Sequence, residues 1–221
     1  MALTGCTQAL SHIPDGRKRM SHALIVIDVQ LDFCPGGALA VPDGDGIIAG
    51  INALMPQADA VVLTQDWHPA GHSSFATSHK GHAPYDVIDM DYGPQVLWPH
   101  HCVQGADGAR FHPDLQSDGA DLILRKGYNP AIDSYSAFFE NDHKTPTGLE
   151  GYLRSRGIEK LTLVGLAFDF CVNYSALDAA KLEFDVTVRE DLCRAIDLDG
   201  SRDAARQAMQ NAGVRLETVH G

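Results

Sequence analysis

The sequence predicts a single α/β domain, a three-layer sandwich in which a six-stranded, mainly parallel sheet carries helices on both faces. The first observation behind this prediction is a series of short apolar runs with little polar alternation, typical of strands buried on both faces. The second is the amphipathic helical spacing found between several of these runs. The third is the length of 221 residues, with 44% hydrophobic and 21% charged residues, which suits one globular domain.

The six predicted strands are runs rich in valine, isoleucine and leucine. They cover residues 23–27, 60–63, 122–124, 161–166, 186–188 and 214–219. Parallel neighbours in a sheet need long crossover connections, which are usually helical. Helices are therefore expected in the intervals between the runs.

Helical patterns do lie between several of the predicted strands. Apolar residues recur at amphipathic spacing over residues 47–55, and alanines form a stripe over residues 204–212. Another helix is expected between a capping box formed by Thr147 and Glu150 and a stop at Gly157. These segments would supply the layers on the two faces of the sheet.

The charge and the cysteine content narrow the class of protein. The formal net charge of −12 at pH 7 argues against a nucleic acid or an anionic membrane as partner, because both require a basic surface. The five cysteines are odd in number, widely spaced and without a CxxC pair, which favours a reducing compartment, and we expect the cytoplasm. No apolar run approaches the length of a membrane span. The oligomeric state stays open, with a homo-oligomer as one alternative.

The domain boundaries follow from the first residues of the chain. Residues 1–19 are polar and end in a basic triplet, so we expect a disordered amino-terminal extension there. Residues 20–221 are expected to form the folded domain, because no linker, repeat or low-complexity tract interrupts them.

Residues 67–119 are the exception to the alternation of strands and helices. This stretch is rich in proline, glycine and histidine, shows no helical or strand periodicity, and contains seven of the eleven histidines of the chain. An irregular connection of this length is usually functional. Asp66 and His68 open it as an Asp-x-His pair, and carboxylate oxygen with imidazole nitrogen suits Zn, Fe or Mn. The alternative is a polar surface loop with scattered histidines.

Polar residues follow the predicted strands at the edge where open parallel sheets bind ligands. The first strand ends in Asp28, the second in Asp66 and the third in Lys126, and the fourth leads to Cys171. A carboxylate, an ammonium and a thiol at one edge can form a nucleophilic set, with Cys171 attacking and Asp28 accepting its proton. Alternatively, Asp28 caps a turn, Lys126 is a solvated charge and Cys171 is a small buried hydrophobic residue.

Cys171 needs help to act as a nucleophile. At an ordinary thiol pKa of about 8.5, only about 3% of a cysteine is thiolate at pH 7. The Lys126 ammonium and the start of a helix predicted over residues 172–182 both favour the anion. We therefore expect Lys126 to hold Cys171 in its thiolate form and to orient the Asp28 carboxylate.

Six motifs, in order along the chain, are similar to those of a known family. They are Asp28-Val29-Gln30-x-Asp32-Phe33, Thr64-x-Asp66-Trp67-His68-Pro69, Trp98-Pro99-x-His101-Cys102-Val103, Lys126-Gly127, Tyr135-Ser136-Ala137-Phe138 and Gly165-Leu166-Ala167-x-Asp169-x-Cys171-Val172. Together, over about residues 22–219, they resemble the nicotinamidases (pyrazinamidases) of the isochorismatase-like cysteine hydrolases. The resemblance implies the isochorismatase-like hydrolase fold.

The resemblance also implies the catalytic residues. Asp28, Lys126 and Cys171 would form the catalytic triad. The peptide bond between Leu166 and Ala167 would be cis, and the backbone amides of Ala167 and Cys171 would form an oxyanion hole.

A metal site is implied in the same way. Asp66, His68 and His101 would bind one divalent metal ion, with Zn²⁺ expected first and Fe²⁺ or Mn²⁺ as alternatives. His72 matches a position that supplies a further ligand in some family members, so the number of ligands stays open. His100 directly precedes His101, and the family's spacing to the following cysteine favours His101.

The activity implied by the resemblance is the hydrolysis of nicotinamide to nicotinic acid and ammonia in NAD salvage, with pyrazinamide as a further substrate. Phe33, Trp98 and Tyr135 would line the pocket for the substrate ring. Nicotinamide is then the expected small-molecule partner.

Three other functions compete with this interpretation. A related amidohydrolase acting on a carbamoyl or ureido substrate would not need Asp66, His68 and His101 together. A doubly wound redox or nucleotide-binding protein would carry a GxGxxG turn, which the sequence lacks. A binding protein that has lost its activity would not be expected to keep the triad.

Overall fold

The structure, a computed structural model, describes residues 21–219, and within them the chain forms eight strands and four α-helices. The strands are β1 (Ser21–Ile27), β2 (Ala60–Asp66), β3 (Val87–Met90), β4 (Gly93–Val96), β5 (Leu122–Lys126), β6 (Ile158–Leu166), β7 (Asp185–Arg194) and β8 (Arg215–Glu217). The α-helices are α1 (Ile48–Leu54), α2 (Leu149–Ser155), α3 (Asn173–Lys181) and α4 (Ser201–Asn211). None of the helices described is long and apolar enough to cross a bilayer. The extension expected over residues 1–19 lies outside the described residues.

Six of the strands form one sheet in the order β5-β2-β1-β6-β7-β8, and every neighbouring pair in it is parallel. β2 is buried at every position, as a central strand of a covered parallel sheet should be. The predicted fold class, a single α/β domain built on a six-stranded parallel sheet, is confirmed.

The strand order determines which parts of the chain meet at the carboxyl edge of the sheet. β1 lies between β2 and β6, and β5 lies next to β2, so four neighbouring strands end side by side. Asp66 is paired with Lys126 across β2 and β5, and Ile27 with Gly165 across β1 and β6. Gly165 has a φ of 115°, and a Cβ there would lie 2.1 Å from the Ile27 carbonyl oxygen. Only glycine allows the two strands to approach this closely where the site begins.

The stretch of residues 67–119 contains a hairpin that the sequence does not predict. β3 and β4 pair antiparallel, with Val87 opposite Val96. Each strand has four residues, and β4 contains Gly93 and Pro94, so neither shows a recognisable alternation of apolar side chains. The prediction of a stretch without strands is therefore wrong at this hairpin.

β7 is longer than the apolar run that predicts it. The run covers residues 186–188, whereas the strand continues to Arg194. Glu190, in its second half, accepts a hydrogen bond from Arg206 of α4 at 2.7 Å. Paired charges of this kind make a strand look like a polar loop in the sequence.

α2 begins differently from the prediction. Its amino-terminal cap is Gly148, with a φ of 96°, and the Thr147 hydroxyl accepts a hydrogen bond from the Leu149 amide at 3.2 Å. Thr147 thus lies one residue too early for a reciprocal capping box with Glu150. The predicted stop is confirmed, since Gly157 has a φ of 66° just beyond the helix.

Candidate active site

Four side chains gather at the carboxyl edge of the sheet, each placed by the end of a different strand. Asp28 follows β1 with a φ of 49°, and Asp66 and Lys126 are the last residues of β2 and β5. Cys171 lies after β6 in a π-helical turn, Phe168–Val172, that leads into α3. A carboxylate oxygen of Asp28, one of Asp66 and the Cys171 Sγ lie within 4.8 Å of one another. The convergence predicted from the strand ends is therefore found.

Lys126 is buried at the centre of this group. Its Nζ lies 2.9 Å from Asp28 Oδ2 and 3.5 Å from Cys171 Sγ. It also donates hydrogen bonds to Asp66 Oδ1 and, at 2.8 Å, to the Ser134 carbonyl oxygen. Burial acts to lower the pKa of Lys126, but the two carboxylates outweigh it and raise the pKa well above its ordinary value. Lys126 is therefore a fixed cation between two carboxylates and not a proton acceptor.

Asp28 is a buried carboxylate held from two sides. Its Oδ1 accepts a hydrogen bond from the Thr64 hydroxyl, and its Oδ2 faces the Lys126 ammonium. Burial raises the pKa of Asp28 to about 6, with Lys126 opposing the shift and Asp66 adding to it. A carboxyl group with this pKa can accept and return a proton near neutral pH.

Cys171 is a buried thiol, and its pKa is shifted in the direction opposite to the expectation. Burial raises the pKa of Cys171 well above its ordinary value; Lys126 lowers it, and Asp28 and Asp66 raise it further. The expectation that Lys126 holds a preformed thiolate is therefore wrong, because burial and two carboxylates outweigh one ammonium. A thiol with a raised pKa needs a neighbouring base in order to react, and a carboxylate oxygen of Asp28 lies within 4.8 Å of Cys171 Sγ.

The turn that carries Cys171 begins at a cis peptide bond between Leu166 and Ala167, as the resemblance implies. The Ala167 carbonyl oxygen accepts hydrogen bonds from the amides of Phe170 and Val172, each at 3.1 Å. The amides of Ala167 and Cys171, which are predicted to hold an oxyanion, thus belong to one hydrogen-bonded turn.

Asp66, His68 and His101 form a second group beside the first. The Nε2 atoms of His68 and His101 lie 3.6 and 3.9 Å from Asp66 Oδ2. The Nδ1 atoms of the two rings donate hydrogen bonds to the carbonyl oxygens of Gly127 and Pro99, each at 2.8 Å. The Nε2 atom of each ring therefore faces Asp66, and when the ring is neutral its lone pair is free to bind a metal ion there. Among the residues described, the buried His68 Nε2 has no hydrogen-bond partner, as expected of a ligand atom.

The charges of this group suit a metal ion. Burial lowers the pKa of His101 to about 4, and His68 acts in the same direction. Burial also acts to lower the pKa of His68, but the Asp66 carboxylate outweighs it and the pKa is raised. Burial acts to raise the pKa of Asp66, but Lys126 and the histidines outweigh it and the pKa lies below its ordinary value. A carboxylate and a neutral imidazole are thus ready as ligands at neutral pH.

His72 and His100 are the histidines whose roles the sequence leaves open. His72 Nδ1 accepts a hydrogen bond from the Ser74 amide at 3.2 Å, and its Nε2 lies 3.3 Å from the Ile132 carbonyl oxygen. Both of its nitrogens therefore have partners within the protein. His100 Nε2 donates to the Ala70 carbonyl oxygen at 3.3 Å and takes no part in the group around Asp66.

Asp133 is a buried carboxylate that the sequence analysis misses. Its ligand atom lies within 4.8 Å of those of His68 and His72. It accepts hydrogen bonds from the Ser134 amide at 2.8 Å and from Gln95 Nε2 at 2.9 Å. Since His68 has one nitrogen free, it can serve one metal ion, and that nitrogen faces Asp66 in the group described above. Asp133 lies two residues before the motif that begins at Tyr135 and is not part of it, so no local signal identifies it.

The thiol and the Asp–His group open on one small cavity. Phe33, Trp98 and Tyr135, which are predicted to line the ring pocket, all line it. Trp98 Nε1 donates a hydrogen bond to the Tyr135 hydroxyl at 3.1 Å, and Phe170 packs edge-on against Trp98 with ring centroids 4.9 Å apart. Aromatic side chains therefore form much of the wall of this cavity, as expected of a pocket that binds a planar ring.

Three further apolar residues line the cavity without having been predicted. They are Leu39, Phe170 and Ile196. Phe170 directly precedes Cys171, so its closeness to the site could have been inferred. Leu39 and Ile196 lie in loops whose positions depend on the tertiary structure, and their sequence neighbours give no signal.

The chain matches one protein family over nearly its whole length. The isochorismatase domain family matches residues 22–220. A nicotinamidase of Acinetobacter baylyi is 53% identical over 193 residues, which are 87% of this chain and 90% of that protein. A nicotinamidase of Escherichia coli is 44% identical over 202 residues, which are 89% and 94% of the two chains.

Solved structures of similar proteins show the same fold. A nicotinamidase–pyrazinamidase from Acinetobacter baumanii has a TM-score of 0.89 and 54% identity, covering 91% of this chain and 98% of that one. The L. infantum protein PnC1, in complex with nicotinate, has a TM-score of 0.79 and 40% identity, with coverage of 90% and 93%. A pyrazinamidase of Pyrococcus horikoshii, in complex with zinc, has a TM-score of 0.72 and 34% identity, with coverage of 90% and 99%.

Proposed function

This chain belongs to the isochorismatase family and, within it, to the nicotinamidases, and we propose that it is a metal-dependent cysteine amidohydrolase that converts nicotinamide to nicotinic acid and ammonia. The observation that carries the proposal is that a thiol and an Asp–His–His group open on one aromatic cavity, while a buried carboxylate with a pKa of about 6 lies beside the thiol. The reaction would take place in the cytoplasm as a step of NAD salvage, and pyrazinamide would be a further substrate.

Asp28, Cys171 and the turn around Cys171 perform the first half of the reaction. Asp28 accepts the thiol proton as Cys171 Sγ bonds to the carboxamide carbon. The carbonyl oxygen becomes an oxyanion, and the backbone amides of Ala167 and Cys171 hold it. Donors of this kind typically lower such a barrier by about 3 kcal/mol each. Lys126 keeps Asp28 in place and balances its charge, with 2.9 Å between Nζ and Oδ2.

Asp28 also serves the second half of the reaction. It returns the proton to the departing nitrogen, so that ammonia leaves and a thioester joins the nicotinoyl group to Cys171. Asp28, again a carboxylate, then activates a water molecule that attacks the thioester, and the thiol leaves with the proton. The sum is nicotinamide plus water giving nicotinic acid plus ammonia. One group acting as base and then as acid requires a pKa near the working pH, as Asp28 has.

We propose Asp66, His68 and His101 as the ligands of one divalent metal ion, Zn²⁺ before Fe²⁺ or Mn²⁺. The unpartnered His68 Nε2 and the inward lone pairs support this assignment, and the zinc complex of the Pyrococcus horikoshii pyrazinamidase adds to it. Three protein ligands leave open coordination positions, as in catalytic zinc sites. When bound, the metal supplies a Lewis-acid anchor for the pyridine nitrogen of the substrate.

Substitution of the proposed ligands should remove the metal. We expect His68→Ala and His101→Ala each to lower the bound metal well below one ion per chain, measured by elemental analysis after gel filtration. His79→Ala and His82→Ala are matched controls from the same stretch, where His79 contacts the Ser73 carbonyl oxygen and His82 lies beside Asp86. Equal loss of metal in all four variants would show that the stretch binds metal diffusely and that the ligand assignment is wrong.

Removal of the metal should lower the turnover of nicotinamide far more than it changes the reactivity of the Cys171 thiol. After chelation, we expect ammonia release from nicotinamide to fall at least about 100-fold, because the ring loses its anchor. The rate at which iodoacetamide alkylates Cys171 should stay close to that of the metal-loaded protein. Benzamide, which has no ring nitrogen, should be a poor substrate with or without metal. Undiminished nicotinamide turnover in metal-free protein would contradict metal dependence, and rapid benzamide turnover would contradict the anchor.

A further inference from the structure

Gln30 is a buried side chain of the active-site region to which the mechanism above gives no role. It lies two residues after Asp28 and is 0% exposed. Its side chain forms hydrogen bonds with the main chain of Asp66. Its Oε1 accepts a hydrogen bond from the Asp66 amide at 2.8 Å, and its Nε2 donates one to the Asp66 carbonyl oxygen at 2.9 Å. The side-chain amide of Gln30 thus satisfies both main-chain polar groups of a proposed metal ligand.

These two hydrogen bonds replace the main-chain hydrogen bonds that a neighbouring strand would make to Asp66. The pairing of β1 with β2 ends at Val26 and Leu63, because the chain leaves the sheet at Asp28. β2 nevertheless continues to Asp66, where β5 covers its other side. A primary amide offers one acceptor and a donor with the spacing of a peptide group, so the Gln30 side chain can extend the ladder on the open side. Without it, the buried amide and carbonyl of Asp66 would lack partners.

The Asp66 carboxylate has little freedom to move, because its two oxygens serve different groups. Oδ1 accepts from the Lys126 ammonium, and Oδ2 faces the His68 and His101 Nε2 atoms at 3.6 and 3.9 Å. A small shift or rotation of the Asp66 main chain would turn Oδ2 away from the two imidazoles. The position of this oxygen therefore depends on what holds the main chain of Asp66.

We propose that Gln30 is a positioning residue for the metal: through its two hydrogen bonds to the Asp66 main chain, it sets the Asp66 carboxylate for a divalent cation. This inference rests on the proposed metal site and extends it to a residue that touches neither metal nor substrate. Groups that orient metal ligands typically contribute about 10- to 100-fold to metal affinity.

Gln65, which directly precedes Asp66 in β2, provides a matched control for Gln30. It is also a buried glutamine, and its Nε2 donates a hydrogen bond to the Ala109 carbonyl oxygen at 2.8 Å. Gln30 Nε2 donates to the same oxygen at 2.9 Å. Gln65 differs in that its Oε1 accepts from Arg125 Nε at 3.1 Å and not from the main chain of Asp66. Loss of the Ala109 contact is therefore common to substitutions at both glutamines, and loss of the Asp66 contacts is particular to Gln30.

The experiment compares Gln30→Met with Gln65→Met in the full chain. The dissociation constants for Zn²⁺ and Co²⁺ are measured by competition with a chelating indicator, and the visible absorption spectrum of bound Co²⁺ reports the ligand geometry. We expect Gln30→Met to weaken both metals about 10- to 100-fold and to change the Co²⁺ spectrum, with circular dichroism unchanged. Gln65→Met should leave affinity and spectrum as in the wild type. Wild-type affinity and spectrum in folded Gln30→Met, or an equal loss in both variants, would overturn the proposal.

Gln30→Glu is measured in parallel, because methionine leaves buried polar groups without partners and the variant could fail to fold. Glutamate keeps the acceptor for the Asp66 amide and loses both donors, so metal affinity should again fall. If neither variant at Gln30 folds, Gln30 is a purely structural residue and the proposal is wrong. These titrations contain no nicotinamide. A wild-type protein that binds metal but does not release ammonia would refute the proposed function and leave the comparison of the two glutamines intact.

Discussion

Replacing Cys171 with alanine is expected to lower kcat/KM for nicotinamide by at least about 10⁴-fold, because the thiol proposed to form the thioester is lost. The fold and the metal content should not change, since the Asp66, His68 and His101 side chains are untouched. The measurement is ammonia release under saturating metal, with circular dichroism and elemental analysis on the same sample.

Cys193 supplies the control for this variant. It is also a buried thiol, on β7, and burial raises its pKa to about 12, but it does not line the cavity that Cys171 lines and should take no part in turnover. Cys193→Ala should retain wild-type turnover. The only expected change is a small loss of stability from the cavity that the missing sulfur leaves. Wild-type turnover in Cys171→Ala would exclude Cys171 as the nucleophile and direct attention to Cys102, which follows His101.

Lys126→Met is expected to have the largest effect on stability. Lys126 lies against Asp28 and Asp66, and both carboxylates are buried. Removal of one member of a buried charge group leaves the others uncompensated, which typically costs about 3–5 kcal/mol in the free energy of unfolding. Turnover should be lost as well, because the pKa of Asp28 rises further without the ammonium. Urea unfolding of the metal-free protein measures the first effect and ammonia release the second.

A second substitution shows whether the loss of stability in Lys126→Met comes from uncompensated charge or from lost packing. Lys126→Met combined with Asp28→Asn removes one of the two uncompensated carboxylates, so we expect the double variant to be more stable than Lys126→Met alone. Lys181→Met, at an exposed position on α3, is the surface control and should change stability by less than about 0.5 kcal/mol. A Lys126→Met protein as stable as the wild type would show that the ammonium does not hold the two carboxylates together.

The sheet and the polar residues at its carboxyl edge could be predicted because each strand is recognisable from a few consecutive residues of the sequence. Each central strand is a short apolar run, and Asp28, Asp66 and Lys126 stand where those runs stop. In a parallel sheet the carboxyl ends share one edge, so a one-dimensional pattern is enough to bring these residues together. The resemblance adds the roles of the histidines and of the pocket aromatics, which periodicity alone does not distinguish.

Other features depend on contacts that the sequence does not display. The shift in the pKa of Cys171 results from burial and from the balance of three charges at short range, and counting residue types favours the wrong direction. Asp133 lines the cavity but belongs to none of the six motifs. Gln30 belongs to the first motif, yet its bonds to Asp66 are visible only when β1 and β2 are side by side. These are tertiary effects, and a single sequence carries no direct record of them.

Alkylation of Cys171 in the metal-loaded protein tests the cysteine mechanism most directly. The protein is treated with increasing iodoacetamide, the modified fraction at Cys171 is determined by peptide mass mapping, and ammonia release from nicotinamide is measured on each sample. If Cys171 forms the thioester, the remaining turnover should equal the fraction of Cys171 left unmodified, and bound metal should stay constant. Turnover that persists when Cys171 is fully alkylated would contradict the cysteine mechanism and favour direct attack on the amide by an activated water molecule.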